Sequence, residues 1–144
     1  MKRIRPGLLT VLVIVCMFIA VSSVSWAQQG QLKLSGITVK DEHPNGCVDC
    51  HKVAGGNDYR LSTELKAAGH PDITKVVNSA PDGCLMCHKT GAKAGALNQR
   101  VHKVHFQNPT QNAFVTNYNG DCLNCHKLDL ATGSMTIKSG AKNW

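Results

Sequence analysis

Apolar residues are concentrated in the first 27 positions of the chain and become sparse afterwards. Residues 8–20 form an apolar run that follows a basic segment, residues 2–5, and precedes the small residues of segment 25–27. This order is typical of a signal peptide, here cleaved after Ala27. We therefore expect an exported protein whose mature chain begins at Gln28. An uncleaved anchor is the alternative, but Ser22 and Ser23 interrupt the apolar stretch, and a span needs about 20 residues.

Apolar periodicity in the remaining chain predicts only short elements. Residues 31–39 alternate in part and predict a strand or small hairpin broken at Ser35-Gly36, and residues 134–138 also have strand character. The two terminal segments could pair as a small sheet. Leu61 and Leu65, followed by Gly69, predict a helix between residues 58 and 68. A second helix is predicted from near Ala94 to Asn108-Pro109.

Few large side chains are left to build a core. The aromatic residues after position 27 are Tyr59, Phe106, Phe114, Tyr118 and Trp144. Such a chain buries little apolar area to offset the entropy lost on ordering. We expect a small, loop-rich, mainly irregular fold whose short α-helices pack around a non-protein group.

One motif, Cys-x-x-Cys-His-Lys, occurs three times, at residues 47–52, 84–89 and 122–127. Cys-x-x-Cys-His is the attachment sequence of c-type haem. Two thiols, one turn apart, form thioethers with the vinyl groups at one porphyrin edge, and the next histidine lies under the ring, where it can bind iron. The motifs predict three covalently bound haems c. The predicted thioether residues are Cys47, Cys50, Cys84, Cys87, Cys122 and Cys125, and the predicted proximal iron ligands are His51, His88 and His126.

Zinc binding and disulfide formation are the other uses of Cys-x-x-Cys pairs. A four-cysteine zinc site would leave one pair and three adjacent histidines unexplained, and an oxidising compartment is hostile to free thiolates. A disulfide within each pair would close a very short loop and stabilise the chain little. Haem attachment is therefore the favoured interpretation.

Each predicted haem iron needs a second axial ligand, and four histidines lie outside the motifs. His102 and His105 are three residues apart on the predicted helix, so they could reach two different haems. His70 lies between Gly69 and Pro71, which would hold it in extended backbone. These three are the first candidates as distal ligands. After the signal peptide only Met86 and Met135 remain as methionine ligands. Met86 lies inside a motif, so Met135 could serve one haem at most.

His43 is the ambiguous histidine. It lies four residues before Cys47, which is too close to loop over the far face of the same haem. It could act as a distal ligand in place of His70, be a spare surface residue, or complete a haem in a neighbouring molecule.

The charge of the chain argues against nucleic acid as a partner. The whole chain has a net charge of +7. Removing Lys2, Arg3 and Arg5 leaves 13 basic and 9 acidic residues, a modest excess that the propionates of three haems would offset. Export makes nucleic-acid binding more remote still.

The three motifs, together with the segment Val101-His102-Lys103-Val104-His105, resemble the small low-potential multihaem cytochromes c, in particular the class III trihaem and small periplasmic tetrahaem cytochromes. The resemblance covers about residues 43–127. It implies proximal His51, His88 and His126, with His102 and His105 capping two haems. The motif pitch, 37 and 38 residues, is wider than in the compact trihaem members.

The predicted organisation is a signal peptide (1–27), an N-terminal extension with a strand (28–42), a trihaem domain (43–130) and a C-terminal tail with a strand (131–144). Histidine at both axial positions favours low potentials, since methionine raises them. The predicted function is electron transfer in anaerobic-type respiration, in the periplasm or at the cell surface. The expected partners are a membrane quinol-linked donor and a terminal reductase or extracellular acceptor. Alternatives are a haem subunit of a larger reductase, a module that polymerises through haem–haem contacts, and a small reductase with one five-coordinate iron.

Overall fold

A computed structural model describes residues 32–144. The chain divides into two units, residues 1–33 and 34–144, and only the last two residues of the first are described. The predicted signal peptide and its cleavage site lie outside the described residues. Between residues 32 and 144, no helix has the length and apolar character needed to cross a membrane.

The second unit is built from short elements joined by long loops. Its α-helices are α1 (Cys47–Cys50), α2 (Leu61–Ala67), α3 (Leu97–Phe106) and α4 (Ala113–Tyr118), with 3-10 turns at Asp82–Met86 and Cys122–Asn124. Its strands are β1 (Val53–Ala54), β2 (Asn57–Asp58), β3 (Ser79–Ala80), β4 (His126–Leu128), β5 (Met135–Ile137) and β6 (Gly140–Ala141). They form three antiparallel pairs, β1–β2, β3–β6 and β4–β5. The small, irregular, loop-rich fold is confirmed.

Helix α2 ends as its sequence predicts. Gly69 has a φ of +76°, a left-handed conformation that favours glycine. The N–H of Gly69 donates to the carbonyl of Lys66 at 3.0 Å, and the N–H of His70 donates to Leu65 at 2.9 Å. These two bonds form a Schellman motif. The motif fixes the backbone of His70 directly after the helix.

Helix α3 begins three residues later than predicted. Gly95 has a φ of +79°, so the right-handed helix cannot include it. Residues 89–95 instead form two tight turns, in which Ala92 donates to Lys89 and Gly95 donates to Ala92. The helix ends at Phe106, before Pro109, as predicted.

The predicted N-terminal strand is wrong in its described part, residues 32–39. The N–H groups of Ile37, Thr38 and Val39 all point to the carbonyl of Leu34, which closes a tight turn with a single bridge between Ser35 and Val39. The hydroxyl of Thr38 also accepts the Leu34 N–H at 2.9 Å. These local bonds occupy the backbone groups that a strand would use for pairing.

The C-terminal strand is confirmed as β5, but its partner is not the N-terminal segment. It pairs with β4, so that Ile137 lies opposite His126. The predicted pairing of the two termini is therefore wrong. A strand that follows another after a six-residue connection pairs with it at a lower entropic cost than with a segment some 100 residues away.

Few apolar side chains are buried in residues 32–144: Val48, Ile73, Val77, Ala80 and Leu123. Two of these, Val48 and Leu123, lie between the cysteines of the first and third motifs. Large apolar side chains such as Leu85 and Met86 in the second motif are 48% and 60% exposed. The protein atoms alone therefore form only a small core, to which the first and third motifs and the segment 73–80 contribute.

The C-terminal segment is hydrogen-bonded to both the first and the third motif. The ammonium of Lys138 donates to the carbonyl of Leu123 at 2.6 Å and to Asp41 at 2.8 Å, and its side chain is only 4% exposed. Its backbone N–H donates to Cys125 at 2.9 Å. The amide of Asn143 donates to the carbonyls of Val48 and His51.

Candidate functional site

Each motif contains one helical turn, and in the first two motifs the N–H of the histidine closes it. In the first motif, helix α1, the N–H of His51 donates to Cys47 at 2.8 Å, and in the second the N–H of His88 donates to Cys84 at 3.0 Å. The third motif is a 3-10 turn capped by Asp121, whose carboxylate accepts the N–H of Leu123. A single turn separates the cysteines in all three.

The six cysteines of the described chain form no disulfide. Burial, with a smaller effect from neighbouring Cys125, raises the pKa of Cys47 to about 11. Burial also raises the pKa of Cys50, Cys84 and Cys125. All four cysteines are half-buried, so their sulfurs favour an uncharged form.

The motif histidines face the other predicted ligands in three pairs. In site 1, His51 faces His105, with ring centroids 6.1 Å apart and planes at 88°. In site 2, His88 faces His70 at 5.8 Å and 24°. In site 3, His126 faces His102 at 6.1 Å and 35°. Each predicted proximal histidine thus lies opposite one predicted distal histidine.

Site 2 shows most directly how its rings are oriented. The Nδ1 of His70 lies 2.8 Å from the carbonyl oxygen of Pro71, and the Nδ1 of His88 lies 3.0 Å from that of Gly95. A carbonyl oxygen only accepts, so both Nδ1 atoms donate. In neutral rings with this tautomer, the two Nε2 atoms face each other at 3.5 Å with their lone pairs. Such a contact is repulsive unless a cation lies between the nitrogens, and a donated Nδ1–H is typical of metal-binding histidine.

Site 1 is oriented in the same way. The Nδ1 of His51 donates to the carbonyl of Tyr59 at 3.1 Å, and the Nδ1 of His105 donates to Val101, one turn earlier in α3, at 2.9 Å. The hairpin of β1 and β2 brings Tyr59 back to the motif, because its N–H donates to Lys52. Burial lowers the pKa of His51. Its ring is therefore held neutral, the state in which imidazole binds a metal.

Site 3 is less enclosed. His102 is exposed on α3, with its ring centroid 6.5 Å from that of Phe106, and His126 is half-buried at the start of β4. Within the described chain, neither ring donates its Nδ1–H to a protein acceptor. The orientation of this pair comes from the backbone of α3 and β4.

The spacing of the rings fits a metal ion bound on opposite sides. With metal–nitrogen bonds of about 2 Å, the centroids of two opposed imidazoles lie about 6.3 Å apart, whereas two ligands of a tetrahedral ion would have centroids about 5.1 Å apart. The observed centroid separations, 5.8 to 6.1 Å, are closer to the opposed arrangement. At site 2 the two Nε2 atoms, 3.5 Å apart, are nearer than the about 4 Å that two opposed bonds would span, so an ion between them would require the rings to separate slightly. The residues present therefore fit the axial ligands of haem iron.

The remaining candidate ligands lie outside these pairs. His43 is half-buried, with its Nδ1 3.6 Å from the sulfur of Cys50 and its ring 6.4 Å from that of Tyr118. Among the described residues it faces no other histidine, and His70 occupies the position opposite His88. Met135 is 53% exposed on β5.

Sequence reasoning did not identify the groups that orient the rings. The carbonyls of Tyr59 and Gly95 are backbone atoms, which carry no side-chain signature. Gly55-Gly56 is a hairpin signal that would have indicated the β1–β2 turn and so the return of Tyr59. The buried position of Lys138 has no signal in the sequence at all.

No protein-family model, curated protein or solved structure matches this chain.

Proposed function

We propose that this chain is an electron-transfer protein that holds three covalently bound haems c, each with two histidine ligands. The three facing histidine pairs carry this proposal. They support it because every Cys-x-x-Cys-His histidine meets exactly one further histidine at the spacing of opposed ligands. The resemblance to small multihaem cytochromes c points to the same function.

Different residues of the chain would attach the haems and bind their irons. The thiols of Cys47, Cys50, Cys84, Cys87, Cys122 and Cys125 would form the thioethers. The axial ligands would be His51 with His105, His88 with His70, and His126 with His102. Backbone carbonyls at sites 1 and 2 hold the rings in the tautomer that presents Nε2. When bound, the haem supplies an iron that gains or loses one electron.

Two ligands on every iron favour a carrier over an enzyme. A catalytic metal site keeps one position open for its substrate, and here each pair would fill both axial positions. Histidine in place of methionine favours low potentials. The proposed role is that of an exported carrier, in the periplasm or at the cell surface, between a quinol-linked donor and a terminal reductase or extracellular acceptor.

A second candidate function is a haem module within a larger assembly. The observation that favours it is His43, which no pair uses and whose ring lies against Cys50 at site 1. A histidine in that position could complete a haem in a second copy or in a reductase subunit. A reductase activity of the chain itself would require one five-coordinate iron.

The visible spectrum of the exported protein tests the proposal. We expect a mass increase of three haems and a sharp c-type α-band in the dithionite-reduced protein that carbon monoxide does not change. Replacing Cys84 and Cys87 with serine should remove one haem and leave two. A carbon monoxide shift in the unmodified protein would favour the enzyme or the assembly, and an absent α-band in a host that attaches haem would refute the cytochrome.

A further inference from the structure

The three sites differ in whether a protein group accepts a hydrogen bond from the Nδ1 atom of each imidazole. At sites 1 and 2 all four rings donate Nδ1–H to a backbone carbonyl at 2.8 to 3.1 Å. At site 3, in the part of the chain that the structure describes, His102 and His126 make no such bond. A donated Nδ1–H makes the imidazole a more basic ligand. The more basic ligand stabilises the oxidised, more positively charged iron.

A buried cation lies beside site 3. The ammonium of Lys138 donates to the carbonyl of Leu123, between the two cysteines of the third motif, at 2.6 Å. The Lys138 side chain is 4% exposed, whereas its partner Asp41 is 24% exposed. Water therefore screens the carboxylate more than the ammonium. The pair carries no net charge, so only this difference in screening leaves a weak positive field at the third motif, where it disfavours further positive charge.

From these two features we infer that site 3 has the highest reduction potential of the three and takes the first electron. The inference rests on the proposed function, that each histidine pair binds a haem iron. The reduction itself adds one electron to one ferric iron and gives the ferrous state. Electrons that enter at site 1 or site 2 would then collect at site 3.

The basic side chains near site 2 would raise the reduction potential of that site and so oppose this order, but their effect is the weaker one. Segment 60–103, which contains site 2, has seven basic and three acidic residues. Its basic side chains other than Arg60 are exposed. Exposed charges are screened by water and salt beyond about 10 Å. The greater solvent exposure of His102 also opposes the order, because water favours the ferric iron. In the inferred order the hydrogen bonds of His70 and His88, which act directly on the ligand atoms, outweigh both effects.

The angles between the ring planes provide a label for each site. Nearly perpendicular planes, as at site 1, leave two iron d orbitals close in energy and give a ferric low-spin EPR signal with one large g value. Smaller angles, as at sites 2 and 3, split these orbitals and give rhombic signals. The His70→Met variant identifies site 2, because only its rhombic signal should change.

The test is a dithionite redox titration of the haem-loaded full chain, followed by EPR. We expect the first signal to disappear to be the rhombic one that His70→Met leaves unchanged. If the large-g signal or the site 2 signal disappears first, the inference is wrong. Failure of the proposed function gives a different result, namely the absence of low-spin haem signals.

A variant tests the contribution of the buried cation. Lys138→Met should make site 3 harder to reduce while site 2 keeps its potential. The matched control is Lys142→Met, which removes an exposed lysine of the same C-terminal segment and should change neither. Equal shifts in both variants would contradict a specific effect of Lys138. If Lys138→Met does not fold, the titration of the unmodified protein still decides the order.

Discussion

Sites 1 and 3 form one connected unit, whereas site 2 is assembled locally. Helix α3 supplies the predicted distal histidine of both site 1 and site 3. Lys138 also connects the two sites, because its ammonium donates to Leu123 in the third motif and to Asp41 near the first. Site 2 takes both histidines and both orienting carbonyls from residues 70–95, and its two histidines are 18 residues apart. A disturbance of α3 is therefore expected to reach two sites. The ligands and orienting carbonyls of site 2 come from one stretch of chain, which the β3–β6 pair and the bond from Ser139 to Asp82 join to the C-terminal segment.

The largest effect is expected from Val104→Pro, which tests whether sites 1 and 3 share helix α3 while site 2 does not. Proline at this position removes a hydrogen bond inside α3 and costs the helix about 3 kcal/mol. We expect carbon monoxide to bind the reduced haems of sites 1 and 3 and to leave site 2 unchanged in the difference spectrum. Val104→Ala is the matched control, because it keeps the helix and removes only a side chain that is 52% exposed. A response of site 2 would show that α3 also supports that site.

The complementary change is His70→Ala, which should open only site 2. One haem should then bind carbon monoxide, and the EPR signals of sites 1 and 3 should stay as they are. His43→Ala is the control, since His43 faces no other histidine among the described residues, and it should leave every haem six-coordinate. Loss of a low-spin haem in His43→Ala would show that His43 is a ligand.

Asp41→Asn should weaken the link between the first and third motifs. It leaves the Lys138 ammonium buried without its carboxylate, which costs about 1–3 kcal/mol of unfolding free energy. Denaturant unfolding at neutral pH measures this loss, and Glu42→Gln, a change to the exposed neighbouring carboxylate, should show none of it. An unchanged unfolding midpoint in Asp41→Asn would mean that the ion pair does not hold the two motifs together.

The pH dependence of this link follows from the pKa of Asp41. Burial raises that pKa, but hydrogen bonds from Lys138 and from the His43 N–H outweigh it and lower the pKa overall. A lowered folded-state pKa gives stability that is fully present above the unfolded value of about 3.9 and is lost as the pH falls below it. The difference between the unmodified chain and Asp41→Asn should therefore shrink in acid.

The smallest expected effect is that of Met135→Ala. The Met135 side chain is exposed on β5 and lies opposite Leu128 rather than in a histidine pair. We expect the α-band and the three EPR signals to be unchanged. A new carbon monoxide response would show that Met135 caps an iron, as the sequence left open.

Predictions made from local sequence patterns succeeded where the determining contacts are also local. Helix α2 follows from Leu61, Leu65 and Gly69, and the end of α3 follows from Pro109. The prediction of an N-terminal strand was wrong because alternation alone does not show whether a partner strand is available. The Leu34 carbonyl instead accepts hydrogen bonds from N–H groups three to five residues later. Helix α4 went unpredicted, although Asn112 caps it through the Phe114 N–H.

The sequence by itself determined which thiols and motif histidines stand together, how many motifs there are, and which histidines lie outside them. These follow from spacing along the chain, because each motif is a single turn. Only the tertiary structure decided that His105 faces His51, His70 faces His88 and His102 faces His126. It also decided that Lys138 is buried beside the third motif. Such pairings depend on how loops of different length close, and a linear pattern does not encode that geometry.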